Sequence, residues 1–147
     1  MEWAALISWL VTAGGGFVLL AIWLRNGGMR QRSPGEIRPF LILGHFALAA
    51  TGLVLWIIYV ASDSDALAWI AFVILLVVAV LGWTMFAIWY QRRQRGPVAA
   101  TAGPEGTATS GSTETPAEQR FPVSIVALHG VLAVATVVLV LLAAIDI

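Results

Sequence analysis

Two histidines are the residues of this sequence whose chemistry is easiest to define. His45 and His129 each lie within an apolar run, GHFALAA and HGVLAVA. An imidazole can relay a proton or, when neutral, bind a metal ion through a ring nitrogen. Cysteine is absent, which excludes thiolate metal sites and covalent haem attachment through C-x-x-C-H. The candidate chemistry is therefore that of two imidazoles in an apolar setting.

The elements that position these histidines are four long apolar segments. The 147-residue chain is 60% hydrophobic and 11% charged, with a mean hydropathy of +0.91. Each segment exceeds the roughly 20 residues that a transmembrane helix needs. We predict an all-α membrane protein, a four-helix bundle of two helical hairpins surrounded by the lipid bilayer. The segments are Trp3–Leu24, Phe40–Val60, Ala66–Tyr90 and Val123–Ile145.

The charge distribution predicts the direction in which the helices cross. All eight basic residues are arginines, divided between the first and third connections, whereas the second connection carries only Asp63 and Asp65. Arginine-rich connections stay in the cytoplasm, so we predict that both termini are extracytoplasmic. The lack of lysine and the many Ala, Gly, Val and Arg residues favour a bacterial plasma (inner) membrane. The basic connections are short and close to the membrane, which favours topology signals over nucleic-acid binding.

The chain is predicted to be a single membrane domain with one linker. Residues 1–95 hold the first three helices, and residues 120–147 hold the fourth. Residues 96–119 are rich in Gly, Pro, Ser, Thr and Ala, which predicts a flexible cytoplasmic linker. Aromatic residues near the ends of the segments are expected at the membrane interfaces. They are Trp3, Trp56 and Trp69 on the outer side and Trp23, Trp89 and Tyr90 on the inner side.

The histidines occupy similar positions in the two hairpins. His45 lies seven residues after Arg38 and His129 lies nine after Arg120. At 1.5 Å per residue, both fall about 10–13 Å inward from the flanking arginines. Leu and Ala follow each histidine at the third and fourth positions, so the hairpins resemble parallel repeats, with chance similarity as the alternative. We expect the imidazoles to face each other at one depth, nearer the cytoplasm.

Opposed imidazoles are the axial ligands of a six-coordinate b-type haem. No Asp, Glu, Lys or Arg shares the four segments, and ligation keeps the imidazoles neutral. Small residues at the same depth would clear space for a macrocycle, although they also permit close helix packing without one. The flanking arginines either pair with haem propionates or only anchor the topology. The candidate cofactor-binding residues are His45, His129, Arg38, Arg120, Gly16, Gly44, Gly52, Gly82, Gly130 and Thr136, with His45 and His129 as metal ligands.

On the four segments, the two histidines and these glycines, the chain resembles the small four-helix b-type cytochromes of bacterial membranes. The resemblance implies a haem b cofactor and an electron-transfer subunit. Its partners would be a quinone or a larger membrane redox complex. Larger members of this group hold two haems through four histidines, whereas this chain supplies ligands for one.

Other functions remain open on the sequence. A non-catalytic membrane subunit or assembly factor would use the histidines for hydrogen bonds between helices. A proton or metal transporter is disfavoured because the segments lack carboxylates and a polar stripe. A bis-histidine zinc or copper site lacks further ligands, and a bacteriochlorophyll would need only one histidine. A self-contained enzyme is not indicated, because no nucleophile–base pair, carboxylate dyad or nucleotide-binding motif is present.

Overall fold

The computed structural model of the chain is all-helical and describes residues 1–30, 36–95 and 116–146, with only the backbone described at residue 95. The four described long helices are each long and apolar enough to cross a membrane, which confirms the four predicted segments. Two short 3-10 helices, Gly28–Arg30 and Ala117–Arg120, lie in the first and third connections. The long helices are α1 Glu2–Arg25, α2 Pro39–Ser62, α3 Asp65–Arg95 and α4 Val123–Ile145.

The helix ends follow from local sequence. Pro39 is the first residue of α2, where a missing N–H costs no hydrogen bond. Pro122 precedes α4 in an extended conformation. Asp63 ends α2 in the left-handed region, with φ 50°, which Asp tolerates better than most residues. The second connection is therefore a tight turn, and α2 and α3 pack side by side.

The predicted linker falls mostly outside the described residues. Residues 96–115 lie in that part of the chain. Residues 117–119, at the end of the predicted linker, belong to the second 3-10 helix, and Ala117 and Glu118 are buried there. This segment packs against α1 and α3, so the described end of the linker is part of the folded protein.

Each of the four long helices packs against two others, but unequally. The closest pairs are α1 with α4 and α2 with α3, while α1–α2 and α3–α4 contacts are sparser. We call the boundary between these two pairs the seam. Near one end of the helices, Tyr59 lies within electrostatic range of the carboxylates of Glu2, Asp63, Asp65 and Asp146. We call this the acidic end, and the opposite end, with Arg25, Arg38, Arg92 and Arg120, the arginine end.

The main apolar core lies towards the acidic end. Trp9 and Trp56 meet there with ring centroids 6.5 Å apart. Of the aromatic residues expected at the interfaces, Trp3, Trp69 and Tyr90 are exposed on the helix surfaces. Trp23, Trp56 and Trp89 are instead buried within the protein. Helical phase decides this difference, because equal depth in the membrane does not imply the same face of a helix.

The first and third helices are also repeats. Residues 66 positions apart are identical at nine of the 24 positions of α1. In α2 and α4 the corresponding residues are 84 apart, as His45 and His129 are. The hairpin α1–α2 therefore corresponds to α3–α4. The identical pairs of α1 and α3 are Trp3/Trp69, Ala5/Ala71, Leu10/Leu76, Val11/Val77, Ala13/Ala79, Gly16/Gly82, Ala21/Ala87, Ile22/Ile88 and Trp23/Trp89.

Candidate functional site

His45 and His129 meet across the seam. His45 extends from α2 and His129 from α4, and their ring centroids are 6.4 Å apart with planes inclined at 66°. Both side chains are half-buried. Their similar spacing from the flanking arginines predicts this meeting, because both helices run from the arginine end to the acidic end.

Each imidazole is oriented by a backbone carbonyl of the other helix in its pair. The His45 Nδ1 lies 3.0 Å from the Val78 carbonyl oxygen on α3. The His129 Nδ1 lies 3.0 Å from the Thr12 carbonyl oxygen on α1. A carbonyl can only accept, so each Nδ1 carries the proton and donates it. The neutral ring then keeps its lone pair on Nε2, and no described residue hydrogen-bonds to either Nε2.

Two glycines make these carbonyls accessible. Gly16 lies four residues after Thr12, and Gly82 lies four after Val78, over the carbonyl that each imidazole approaches. A Cβ built on Gly16 would lie 3.2 Å from Cε1 of His129 and 3.8 Å from its Nδ1. A Cβ built on Gly82 would meet the ring of His45 at the same two distances. The two halves of the site are thus equivalent at these glycines, in agreement with the sequence repeat. They differ one residue earlier, where Gly15 borders His129 and its counterpart is Leu81.

The other predicted glycines lie elsewhere. Gly44 and Gly130 precede and follow their histidines, and a Cβ on either would meet no heavy atom within 4 Å outside its chain neighbours and the adjacent helix backbone. Adjacent residues of a helix point about 100° apart, so neither glycine borders an imidazole. A Cβ on Gly52 would lie 3.1 Å from the Trp9 indole, within the apolar core.

Thr136 does not contact His129. Its hydroxyl donates to the Leu132 carbonyl of its own helix at 2.8 Å, the commoner arrangement for Thr in a helix. Because its only hydrogen is used there, Thr136 accepts from the Ser8 hydroxyl of α1 at 2.8 Å, and the Thr12 hydroxyl divides its hydrogen between Thr136 at 3.0 Å and the Ser8 carbonyl at 2.8 Å. Thr136 therefore joins α4 to α1, on the acidic side of the imidazoles.

The two predicted arginines stand at the helix starts. Arg38 is the residue before α2, and Arg120 ends the second 3-10 helix. Both side chains are exposed. The structure thus brings together His45, His129, Gly16 and Gly82 and places both arginines on the surface of the arginine end.

Two buried tryptophans lie between the imidazoles and the arginine end, where the sequence predicted only aromatic residues at the membrane interface. Trp23 lies seven residues after Gly16, and Trp89 lies seven after Gly82. Seven residues are two helical turns, so each indole lies on the face of its glycine, about 10 Å nearer the arginine end. They are 0% and 4% exposed, and neither indole Nε1 has a hydrogen-bond partner among the described residues. The 66-residue repeat carries the signal that reveals them.

Glu118 links two chain segments at the arginine end. It is fully buried, and its Oε1 accepts a hydrogen bond of 3.2 Å from the backbone N–H of Ile37. Burial is the main cause that raises the pKa of the Glu118 carboxyl, and the carboxylate of Glu36 acts in the same direction. Arg92 lies within electrostatic range and acts in the opposite direction. The contact joins the segment before α4 to the segment before α2, the two helices that carry the histidines.

The sides of the seam differ at the level of the histidines. Phe17 of α1 and Phe46 of α2 make an edge-to-face contact, with centroids 5.2 Å apart. Their counterparts in the repeat are Trp83 and Gly130. Trp83 is 64% exposed, and the space beside Gly130 is open. Aromatic rings therefore close the seam on the α1–α2 side, whereas Trp83 and Gly130 do not close it on the α3–α4 side.

The site offers a metal two imidazole nitrogens and little else from the protein. Within the part of the chain that the structure describes, no group of three His, Cys, Asp or Glu side chains could hold a metal ion. A group that brings its own equatorial ligands needs only two axial ones from the protein. Comparison with protein-family models, curated proteins and solved structures gives no match.

Proposed function

We propose that this protein is a membrane b-type cytochrome, an electron-transfer subunit that holds one haem b between His45 and His129. The observation that carries the proposal is the matched pair of imidazoles. Each ring donates Nδ1–H to a carbonyl of the neighbouring helix, so each Nε2 is left with its lone pair. This arrangement fixes the tautomer and orientation that histidine ligands of metals generally have.

The separation of the rings supports axial ligation. Imidazole nitrogens bind metals at about 2.0–2.1 Å, and with about 1.1 Å from nitrogen to ring centre, two opposed ligands would have centroids about 6.3 Å apart. The observed centroid separation is 6.4 Å. Axial imidazoles need not be coplanar with each other, so the 66° inclination agrees with this geometry.

The surroundings of the rings fit a porphyrin. Gly16 and Gly82 leave each imidazole room to approach its carbonyl, and a Cβ would crowd it. A macrocycle perpendicular to the line between the rings would lie along the seam. Phe17 and Phe46 close the α1–α2 side of the seam at this level, so an edge of the macrocycle would extend towards the α3–α4 side, beside Gly130. Two buried, unpartnered indole N–H groups near the arginine end favour an anionic group there.

A bound haem would supply one-electron redox chemistry, and the protein would hold and orient it. Under this proposal the helices form a bundle with both termini extracytoplasmic, because all eight arginines of the sequence belong to the first and third connections. The haem would then lie nearer the cytoplasmic face of a bacterial plasma membrane. One haem at that depth would exchange electrons with a quinone or with a partner redox complex.

The direct test is the reduced-minus-oxidised absorption spectrum of the detergent-purified protein, expressed with added haem precursor. Wild type is expected to show sharp α and Soret bands, with one haem per chain by the pyridine haemochrome assay. His45→Ala, His129→Ala and the double variant are expected to lose the six-coordinate spectrum. Val131→Ala is the matched control, because Val131 lies on α4 with 69% of its surface exposed.

Two results would contradict the proposal. A featureless wild-type spectrum would leave a non-catalytic membrane subunit as the better account. Haem bands that persist in the double histidine variant would place the haem elsewhere. Metal analysis of the same samples distinguishes a zinc or copper protein, which would contain metal without Soret absorption.

A further inference from the structure

Trp23 and Trp89 are unusual because both indole N–H groups are buried without acceptors. Their residues are 0% and 4% exposed, and no described group accepts a hydrogen bond from either nitrogen. A buried donor without a partner destabilises the folded protein, because it has lost its hydrogen bonds to water. The same cost occurs twice, at equivalent positions of the repeat. An acceptor that serves both indoles would explain why both donors are retained.

We infer, on the basis of the proposed haem site, that Trp23 and Trp89 donate hydrogen bonds to the two haem propionates. Each indole lies two turns from the glycine that contacts a histidine, on the same helix face. The two indoles come from α1 and α3, which lie on opposite sides of the seam. The propionates leave one edge of the macrocycle, and that edge would face the arginine end.

Charged groups of both signs lie at this end. Glu118 and Glu36 are the acids; burial raises the pKa of the Glu118 carboxyl, and Oε2 of Glu36 is buried without a partner among the described residues. The Arg93 guanidinium lies 5.4 Å from the centre of the Trp89 ring. Arg92 lies within electrostatic range of Glu118 and adds positive charge. Gly28 lies against the Trp23 indole and covers it at the end of α1.

The test compares haem b with its dimethyl ester, which has no carboxylates. Full-length apoprotein in detergent is titrated with each, in wild type and in W23F/W89F. The control is W3F/W69F, an equivalent pair whose indoles are 62% and 44% exposed. We expect W23F/W89F to weaken haem b binding about 100-fold or more, because two hydrogen bonds to charged groups are lost, and to weaken ester binding much less, because an ester carbonyl accepts a weaker hydrogen bond than a carboxylate. The control should match wild type for both.

The outcomes separate this inference from the proposed function. If W23F/W89F weakens the binding of haem b and of the ester equally, the indoles only pack against the macrocycle. If it weakens the binding of neither, the indoles do not contact the haem. Either result overturns the inference but leaves the proposed function intact, because the wild type still shows its Soret band. A wild type that binds neither compound overturns both. If W23F/W89F does not fold, ultraviolet resonance Raman spectra of the wild type test the indole hydrogen bonds instead. The indole N–H signal should shift more with haem b than with the ester, because a carboxylate is the stronger acceptor, and an identical response to both would overturn the inference.

Discussion

Alanine at Gly16 or Gly82 perturbs the histidine pair without altering the imidazoles. The new Cβ would lie 3.2 Å from Cε1 of the neighbouring ring, whereas carbon atoms pack best at about 3.5–4.0 Å. The ring must move by a few tenths of an ångström, away from the carbonyl that it contacts at 3.0 Å. Overpacking of this kind costs about 1–3 kcal/mol.

In the apoprotein the ring can relieve this contact by moving away from its carbonyl, whereas a ring that ligates the proposed haem is held in place, so the cost should appear mainly as lost haem affinity. At about 1.4 kcal/mol per tenfold, 1–3 kcal/mol corresponds to roughly 5- to 150-fold weaker binding in each variant. The measurement is titration of apoprotein with haem b, followed at the Soret band. Gly14→Ala is the matched control, because a Cβ at Gly14 meets no heavy atom within 4 Å. The control gains only the helix preference for alanine, about 0.5–1 kcal/mol of stability.

The equivalence of the two halves sharpens the expectation. Gly16 and Gly82 stand at identical distances from their histidines, so the two variants should lose similar affinity. Binding by both variants as tight as that of Gly14→Ala would refute the idea that these glycines position the ligands. A large loss in one variant and none in the other would refute the equivalence of the repeats.

Three further substitutions test the packing around the site. Thr136→Val removes the hydrogen bond from Ser8 and the shared one from Thr12, each worth at most about 0.6 kcal/mol in membrane proteins, so it should lower the unfolding free energy by about 0.6–1.2 kcal/mol. Thr51→Val, whose hydroxyl bonds only its own helix, should have no such effect in the same detergent unfolding assay. Gly28→Ala places a Cβ within the Trp23 indole and should lower the unfolding free energy by about 1–3 kcal/mol; an unchanged unfolding midpoint would contradict this contact. Burial raises the pKa of the Glu118 carboxyl, so the folded protein binds this proton more tightly than the unfolded chain, whose value is about 4.5. This contribution to stability is present at low pH and is lost as pH rises from about 4.5 through the folded pKa. Glu118→Gln should therefore lose less stability than wild type over that pH range. Parallel thermal-unfolding profiles of wild type and variant against pH would argue against this role of Glu118.

The sequence predicts the helices and the depth of the histidines well, because both depend on local quantities. Long apolar runs must form helices in lipid, and the spacing from Arg38 to His45 sets a height along a helix. The faces of the glycines are less predictable. Gly44 shares the depth of the site but not its face, because one residue turns a helix by about 100°. The carbonyls of Thr12 and Val78 could not be identified, since any residue type supplies a carbonyl.

The choice of helix partners also depends on side chains that the repeat does not share. Two near-equivalent hairpins could pair α1 with α2 as closely as α1 with α4. The hydroxyls of Ser8, Thr12 and Thr136 form a buried cluster between α1 and α4. The counterpart positions hold Ile74, Val78 and Gly52. If α1 packed closely on α2 in place of α4, the hydrogen bonds of Ser8 and Thr12 to Thr136 would have no equivalent, because Gly52 occupies the counterpart position. The cluster therefore selects α4 as the neighbour of α1, and that choice brings His129 to Gly16 and across the seam from His45.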